Sequence, residues 1–209
     1  TITGTNSVAP VVVDLDGDGV EFVGVEDGIK LDVDGDGKLE KTAWAAKDDG
    51  VLIYDKDSDN QLDGREEFVF ADYSDNPDDT DLEGLKEGFD SNDDNVFDAK
   101  DENFDKFKVW QDKDGDGTVD QGEMKSLDEL NIESINLESD QKSYTAAEGD
   151  VTIHGTTKVA YTDGSTTDAA DAPIIAKFAE LGVTVKQINQ SPVAGLKELI
   201  TDKGVLYAS

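Results

Sequence analysis

The sequence predicts an α+β fold: short strands and helices riveted together by acidic loops, ending in a C-terminal hairpin and helices. Three observations predict it. Apolar runs such as "VVV" at 11–13, "IKL" at 29–31 and "VLIY" at 51–54 each stop at an aspartate, as strands entering a loop do. Elsewhere the apolar spacing is helical: Leu82, Leu85 and Phe89 before one loop, and Phe104, Phe107 and Trp110 on one face of a helix expected over Glu102–Gln111. Between these runs, acids return at one fixed beat.

The stretch "WQDKDGDGTVDQGEMKSLDEL" (110–130) shows the beat in full. In water, so many neighbouring carboxylates only repel one another. A hard divalent cation changes that, because calcium takes six to eight oxygens. A twelve-residue loop supplies them from positions 1, 3, 5, 7 (a backbone carbonyl), 9 and 12, with a sharp turn at position 6. Asp112, Asp114, Asp116, Thr118, Asp120 and Glu123 fill those positions, and Gly117 takes the turn. "DKDSDNQLDGRE" repeats the scheme with Asp55, Asp57, Asp59, Gln61, Asp63 and Glu66. Its turn residue is Asn60, which tolerates the left-handed backbone. "DSNDDNVFDAKD" offers Asp90, Asn92, Asp94, Val96, Asp98 and the shorter Asp101.

Two earlier stretches are half-copies. "DLDGDG" supplies Asp14, Asp16 and Asp18, but position 12 is Val25; "DVDGDG" supplies Asp32, Asp34 and Asp36, but position 12 is Ala43. A closing carboxylate could be borrowed from Glu26, Glu40 or the pair Asp48 and Asp49, or the coordination could be left open for water or a ligand. Asp14–Asp18 and Asp32–Asp36 are therefore where a ligand's carboxylate is expected. With one ion in each EF-hand-like loop, the sequence implies about five Ca2+ ions. Only ten residues separate the loops at 90 and 112, too few for two helices, so the loops should act as fixed rivets rather than an opening switch.

Beyond the loops, Ser126 and Glu129 form a capping box for a short helix, and "INL" (135–137) suggests a strand. Val151–Tyr161 suggests a longer strand, turned at Asp163 and Gly164. Two helices are expected to close the chain. One follows Pro173 with Ile174, Ile175, Phe178 and Leu181; the other is capped by Ser191, begins at Pro192 and stops at Gly204. The whole of 1–209 is expected to be one calcium-binding module, with 172–209 as a helical extension.

Composition narrows the function. Fifty acids against eighteen Lys and Arg give a formal charge of −32, which opposes nucleic-acid binding, since phosphates need the reverse balance. Hydrophobic residues make up 36% of the chain, enough for a core. Cysteine is absent, which excludes disulfides and thiolate metal sites. No apolar run approaches the ~18 residues of a membrane span, and no leader pattern opens the sequence. The chain is expected to be a segment of a larger multidomain protein. His154 has no nucleophile partner constellation, and Trp44 and Trp110 sit among apolar neighbours as core residues do. There is no phosphate-cradling glycine loop and no zinc-protease motif.

The order of the motifs carries a resemblance. "APVVVDLDGDGVEFVG", "DVDGDG", "DDGVLIYDKDSDNQLDGREEF", "FDSNDDNVFDAKD", "FKVWQDKDGDGTVDQGEMKSLDELNIESINL" and "YTDGSTTDAAD" run as in the calcium-dependent self-processing modules of bacterial RTX proteins, over residues 9–171. The chain also resembles the peptide-binding domain of giant RTX adhesins. The first resemblance implies cleavage of an Asp-Pro bond just ahead of the first loop, the Asp carboxylate attacking its own carbonyl. The second implies an extracellular, cell-surface module that grips the C-terminal carboxylate of a peptide or protein with the help of calcium. In this sequence the bond at the expected place is Ala9-Pro10, and no Asp-Pro bond occurs anywhere. Without that carboxylate the self-cleavage has no nucleophile, so the sequence favours the binding module over the enzyme. A calcium-stiffened spacer is the third expectation.

Overall fold

The computed structural model describes residues 10–33, 37–172, 185–190, 197–201 and 204–208. In chain order the elements begin β1 (Val11–Val13), β2 (Phe22–Val23), β3 (Ile29–Leu31), β4 (Glu40–Thr42), β5 (Trp44–Ala45) and β6 (Gly50–Tyr54). Next come α1 (Asp81–Phe89), β7 (Val96–Asp98), β8 (Phe107–Trp110), β9 (Met124–Ser126) and β10 (Ile132–Asn136). β11 (Tyr144–Ala146), β12 (Val151–Ile153), β13 (Gly155–Tyr161) and β14 (Thr166–Asp171) complete the main body. β15 (Val185–Gln190), β16 (Lys197–Thr201) and β17 (Gly204–Ala208) form a separate three-stranded antiparallel sheet.

The α+β expectation is overturned: the protein is mostly β. Its centre is one eight-stranded sheet in the order β7-β10-β13-β14-β1-β6-β8-β9, antiparallel at every pairing. α1 is the only α-helix among the described residues. The helix expected over Glu102–Gln111 is instead a 3₁₀ turn at Phe104–Lys106 followed by β8. Pairing with β6 on one side and β9 on the other outweighs the helical spacing of Phe104, Phe107 and Trp110. The Ser126–Glu129 capping box forms, Glu129 N–H donating to Ser126 Oγ at 3.1 Å, but encloses a single turn. The second C-terminal helix is contradicted by β16 and β17, and the one after Pro173 lies outside the described residues.

Other sequence expectations hold. The three apolar runs that end at Asp14, Asp32 and Asp55 are β1, β3 and β6. Ile135 and Asn136 of "INL" end β10, with Leu137 just beyond it, and Gly164, at φ +85°, turns the β13–β14 hairpin. α1 is fixed by a capping box, with Thr80 as cap and Glu83 reaching back to its backbone N–H.

Both faces of the sheet are covered, which is why β1 and β6 are apolar without alternation and wholly buried. Val11, Val13, Leu52, Tyr54, Phe107 and Val109 pack with Leu82, Leu85 and Phe89 of α1 on one face. Val12, Val51, Ile53 and Trp110 pack on the other with Trp44, Ile29, Val151 and Ile153 of the small hairpins. Trp44 and Trp110 are core residues, 5.6 Å apart between ring centroids.

The register places the loops. Val13 faces Gly50 across β1–β6, and Val51 faces Trp110 across β6–β8. The chain leaving β1 at Asp14, the chain entering β6 at Asp49 and the chain leaving β8 towards Asp112 therefore meet at one end of the sheet. Asp55, at the far end of β6, lies at the opposite end.

Candidate metal centres

Each loop begins with an aspartate whose carboxylate folds the loop about itself. Asp112 Oδ1 accepts the N–H groups of Gly115 (2.8 Å) and Asp116 (3.2 Å), and Oδ2 accepts that of Gly117 (3.0 Å). Asp14 takes those of Gly17 (2.7 Å) and Gly19 (3.1 Å). Asp55 takes those of Asp59 and Asn60, Asp90 those of Asp94 and Asn95, and Asp32 that of Gly37. The wrapping needs a left-handed backbone at the turn, found at Gly19, Gly37, Asn60, Asn95 and Gly117.

A second carboxylate closes every loop by accepting the N–H of the residue just after that first aspartate. In the last loop it is Glu123: Oε1 takes Lys113 N–H at 2.9 Å and Oε2 takes Asp120 N–H at 3.2 Å. In the loop at 90 it is Asp101, which reaches Ser91 N–H (2.9 Å) and Asp98 N–H (3.0 Å) despite its shorter side chain. In the loop at 55 the closing residue is Glu67, not Glu66. Glu67 Oε2 accepts Asp63 N–H at 2.8 Å and the side chain also takes Lys56 N–H, while Glu66 is exposed. An extra residue in the turn after extended Gly64 carries Glu67, rather than Glu66, into the buried place.

The half-copies borrow. Asp49 Oδ1 accepts Leu15 N–H at 3.3 Å and Oδ2 accepts Glu21 N–H at 2.6 Å, closing the loop at 14 from the head of β6. Glu40 Oε2 accepts Val33 N–H at 3.4 Å, closing the loop at 32 from the head of β4. Val25 and Ala43, at position 12 of these loops, are core residues instead. Asp49, Glu40, Glu67, Asp101 and Glu123 are all buried.

Among the described residues, three loops gather at least three acids within 4.8 Å of one another: Asp14, Asp16 and Asp18; Asp55, Asp57 and Asp59; and Asp112, Asp114 and Glu123 together with Asp114, Asp116 and Asp120. Such acid clusters could hold a metal ion. The loop at 90 has Asn92 in place of the second acid, and Lys100 draws Asp98 to itself at 2.6 Å. Asp34 and Asp36 lie outside the described residues. Gln61, Val96 and Thr118 hold position 7 in loops folded by bonds from their own N–H groups: Gln61 N–H and Thr118 N–H reach Asp59 and Asp116, and Val96 N–H reaches Asp94.

The electrostatics show crowded charge. Burial pushes Asp49 up to about 7, against the opposing N–H groups of Glu21 and Leu15. Burial also raises Asp112 and Glu67, with neighbouring carboxylates adding to it, while Asp63 is raised chiefly by the charge of Asp59. Lys108 brings compensation to one loop, its ammonium bonded to Asp55 and, at 2.6 Å, to Asn60 Oδ1. The donor atoms offered are oxygens, with no thiolate and no imidazole among the gathered groups, and buried carboxylates crowd each place. That donor set fits a hard divalent cation such as calcium or magnesium.

A family model described as the SPM domain matches residues 11–174, the stretch that holds the sheet and all five loops. The chain belongs to the SPM domain family. A second model, the N-terminal domain of disulfide bond isomerase proteins, matches residues 165–209 of this SPM domain protein, a segment without cysteine. The protein is also similar to the iron-regulated protein FrpA of Neisseria meningitidis serogroup C, with 30% identity over 204 residues. That alignment covers 91% of this chain and 18% of FrpA, so the chain spans less than a fifth of its relative's length. No helix among the described residues of this SPM domain is long and apolar enough to cross a membrane.

Proposed function

We propose that this SPM domain is a calcium-rigidified module of an extracellular bacterial adhesin of the RTX kind, and that it binds the C-terminal carboxylate of a peptide or protein on a cell surface. The repeated closure of the loops supports the calcium reading: five buried carboxylates each brace the amide beside a first-position aspartate. About five ions follow if each loop holds one, and the millimolar calcium outside cells fills even weak loops of this type. The likeness to a small part of FrpA supports a place within a longer chain.

One feature of the first loop carries the ligand reading. Asp49 supplies the closing carboxylate, so a ligand is not needed at position 12. Position 9 is Phe22, whose side chain has no oxygen to give. An ion held by Asp14, Asp16, Asp18 and Asp49 would keep one place for water or for an incoming carboxylate. Calorimetric titration with peptides bearing free or amidated C-termini, in saturating calcium, tests this. The free carboxylate should bind and the amide should not; equal affinity removes the carboxylate from the reading. Failure of every peptide, together with strong calcium stabilisation, would favour the spacer.

The motif order supports a second reading, a self-processing module in an uncleavable form. Pro10 is buried at the head of β1, its carbonyl accepting the N–H of Ala172 at 3.3 Å. An Ala9→Asp variant with calcium should then split before Pro10. A chain still intact after long incubation rejects it.

A further inference from the structure

Asp81 and Asp171 take no part in the loops, yet they are among the most deeply buried acids, 0% and 3% exposed. Asp81 opens α1 just after its Thr80 cap, and its Oδ1 accepts Ala71 N–H at 2.7 Å, with Phe70 N–H donating as well. Asp171 ends β14 opposite Val11 of β1 and Gly155 of β13. Its carboxylate accepts the backbone N–H of Asp81 and the hydroxyl of Thr80, which brings the two acids together. Each keeps one oxygen, Asp81 Oδ2 and Asp171 Oδ1, with no hydrogen-bond partner.

Two ionised carboxylates with orphaned oxygens in an apolar interior are costly, and something must neutralise them. The acids that reach the pair add no relief: Asp72, from a 3₁₀ turn at Phe70–Tyr73 and itself bonded to Arg65 at 2.9 Å, acts on Asp81, and Glu83 from α1 acts on Asp171. His154, whose backbone N–H donates to the Asp171 carbonyl at 2.8 Å, is an exposed residue. Calcium is a poor occupant, since two free oxygens fall far short of the six to eight it takes. A proton suits the place, because a protonated carboxyl carries no charge to be solvated and so removes the need for a counter-ion that the interior does not supply.

We propose that the buried pair Asp81 and Asp171 keeps at least one carboxyl protonated and forms a pH-released latch that ties the head of α1 to the β1–β14 strand pair. Burial agrees, pushing Asp171 up to about 7 and Asp81 well above the usual carboxylate range. An Asp in the unfolded chain titrates near about 3.9. The latch therefore contributes fully below about pH 4, and its contribution is lost as pH rises through about 7. The latch sits where two loops are mounted: β1 runs from Val11 straight into Asp14, and Ala71 follows Glu67 by four residues. Releasing the proton loosens both mountings together.

The test is carboxyl-carbon NMR of the calcium-loaded chain, labelled at aspartate, from pH 5 to 8. Asp81→Asn and Asp171→Asn variants identify the two signals. One of these signals should remain at the protonated position at pH 6, when exposed aspartates are ionised, and move only near neutrality. At saturating calcium, the fall of Tm between pH 5 and 8 should shrink by about half or more in either variant. Both signals ionised at pH 5 would overturn the latch. So would signals that follow added calcium at constant pH, which would mark a cation site, or a Tm slope unchanged in both variants. If a variant does not fold, through-bond assignment of the wild-type signals decides the question alone.

Discussion

The carboxylate of Asp49 accepts the backbone N–H of Leu15, thirty-four residues earlier in the chain. The cause is strand register: Val13 of β1 faces Gly50 of β6, so the next residues outward, Asp14 and Asp49, emerge side by side. A loop that lacks its own closing acid is completed by the neighbouring strand. Asp49→Ala should leave the amides of Leu15 and Glu21 unpaired in a partly buried place, at about 1–3 kcal/mol of stability. It should also remove one bound ion. Native mass spectrometry in calcium checks the count; an unchanged number of ions would mean that Asp49 is not a ligand.

Glu66 and Glu67 offer a sharper discrimination, because the twelve-residue rule and the structure choose different residues. Glu67→Gln should weaken calcium binding at the loop at 55, since Glu67 is the buried carboxylate bonded to Asp63 N–H. Glu66→Gln should change stability by no more than about 0.5 kcal/mol, as exposed substitutions do. Calcium titrations of the two variants decide it. A loss confined to Glu66→Gln would show that the loop closes by the ordinary spacing.

Phe107 is the hub of an aromatic cluster, with ring centroids 5.1 Å from Tyr54, 5.6 Å from Phe70, 4.9 Å from Phe89 and 4.6 Å from Phe97. It joins α1 to the sheet and is wholly buried. Phe107→Ala should cost about 3–5 kcal/mol by the transfer and cavity terms together. Chemical denaturation in calcium measures this. A cost below about 1 kcal/mol would mean that the face beneath α1 is not a packed core.

The positions of β1, β3 and β6 were legible because an apolar run that halts at an aspartate is a local signal. The acidic beat was legible for the same reason, and among the described residues acids gather in the loops at 14, 55 and 112. The closing carboxylates of the half-copies were not fixed by spacing: Glu40 and Asp49 were two alternatives among several, and only strand pairing chooses between them. β8 misled because a strand buried on both faces loses its two-residue alternation. Phe104, Phe107 and Trp110 then fit a helical spacing, and it is the ladder to β6 that decides.

Calcium removal tests the loops as a set. Ions that bind only the folded chain add about 2.7 kcal/mol per site at a hundredfold excess over Kd. Chelation with EDTA should therefore lower Tm steeply, and adding salt to the chelated protein should recover part of the loss by screening the −32 charge. Superimposed melting curves with EDTA and with excess calcium would remove the metal reading altogether.

Lys108 gives the loop at 55 something that makes its response to chelation distinct. Its side chain is 13% exposed, and its ammonium is bonded to Asp55, whose side chain is fully buried. Burial alone would push Asp55 up, yet Lys108 and the N–H groups of Asn60 and Asp59 hold its carboxyl below the ordinary value. The depressed value means that Asp55 contributes stability above about pH 4 and loses it as the solution is made more acid. Without calcium, Lys108 is the cation nearest that carboxylate; with calcium, the ion takes over the neutralising part and repels the ammonium. Lys108→Met should therefore destabilise the chelated protein more than the calcium-loaded one, by up to about 3–5 kcal/mol if the buried Asp55 charge is left unpaired. The gain in Tm on adding calcium should grow in the variant. A gain equal to or smaller than that of the wild type would place the calcium ion away from Asp55.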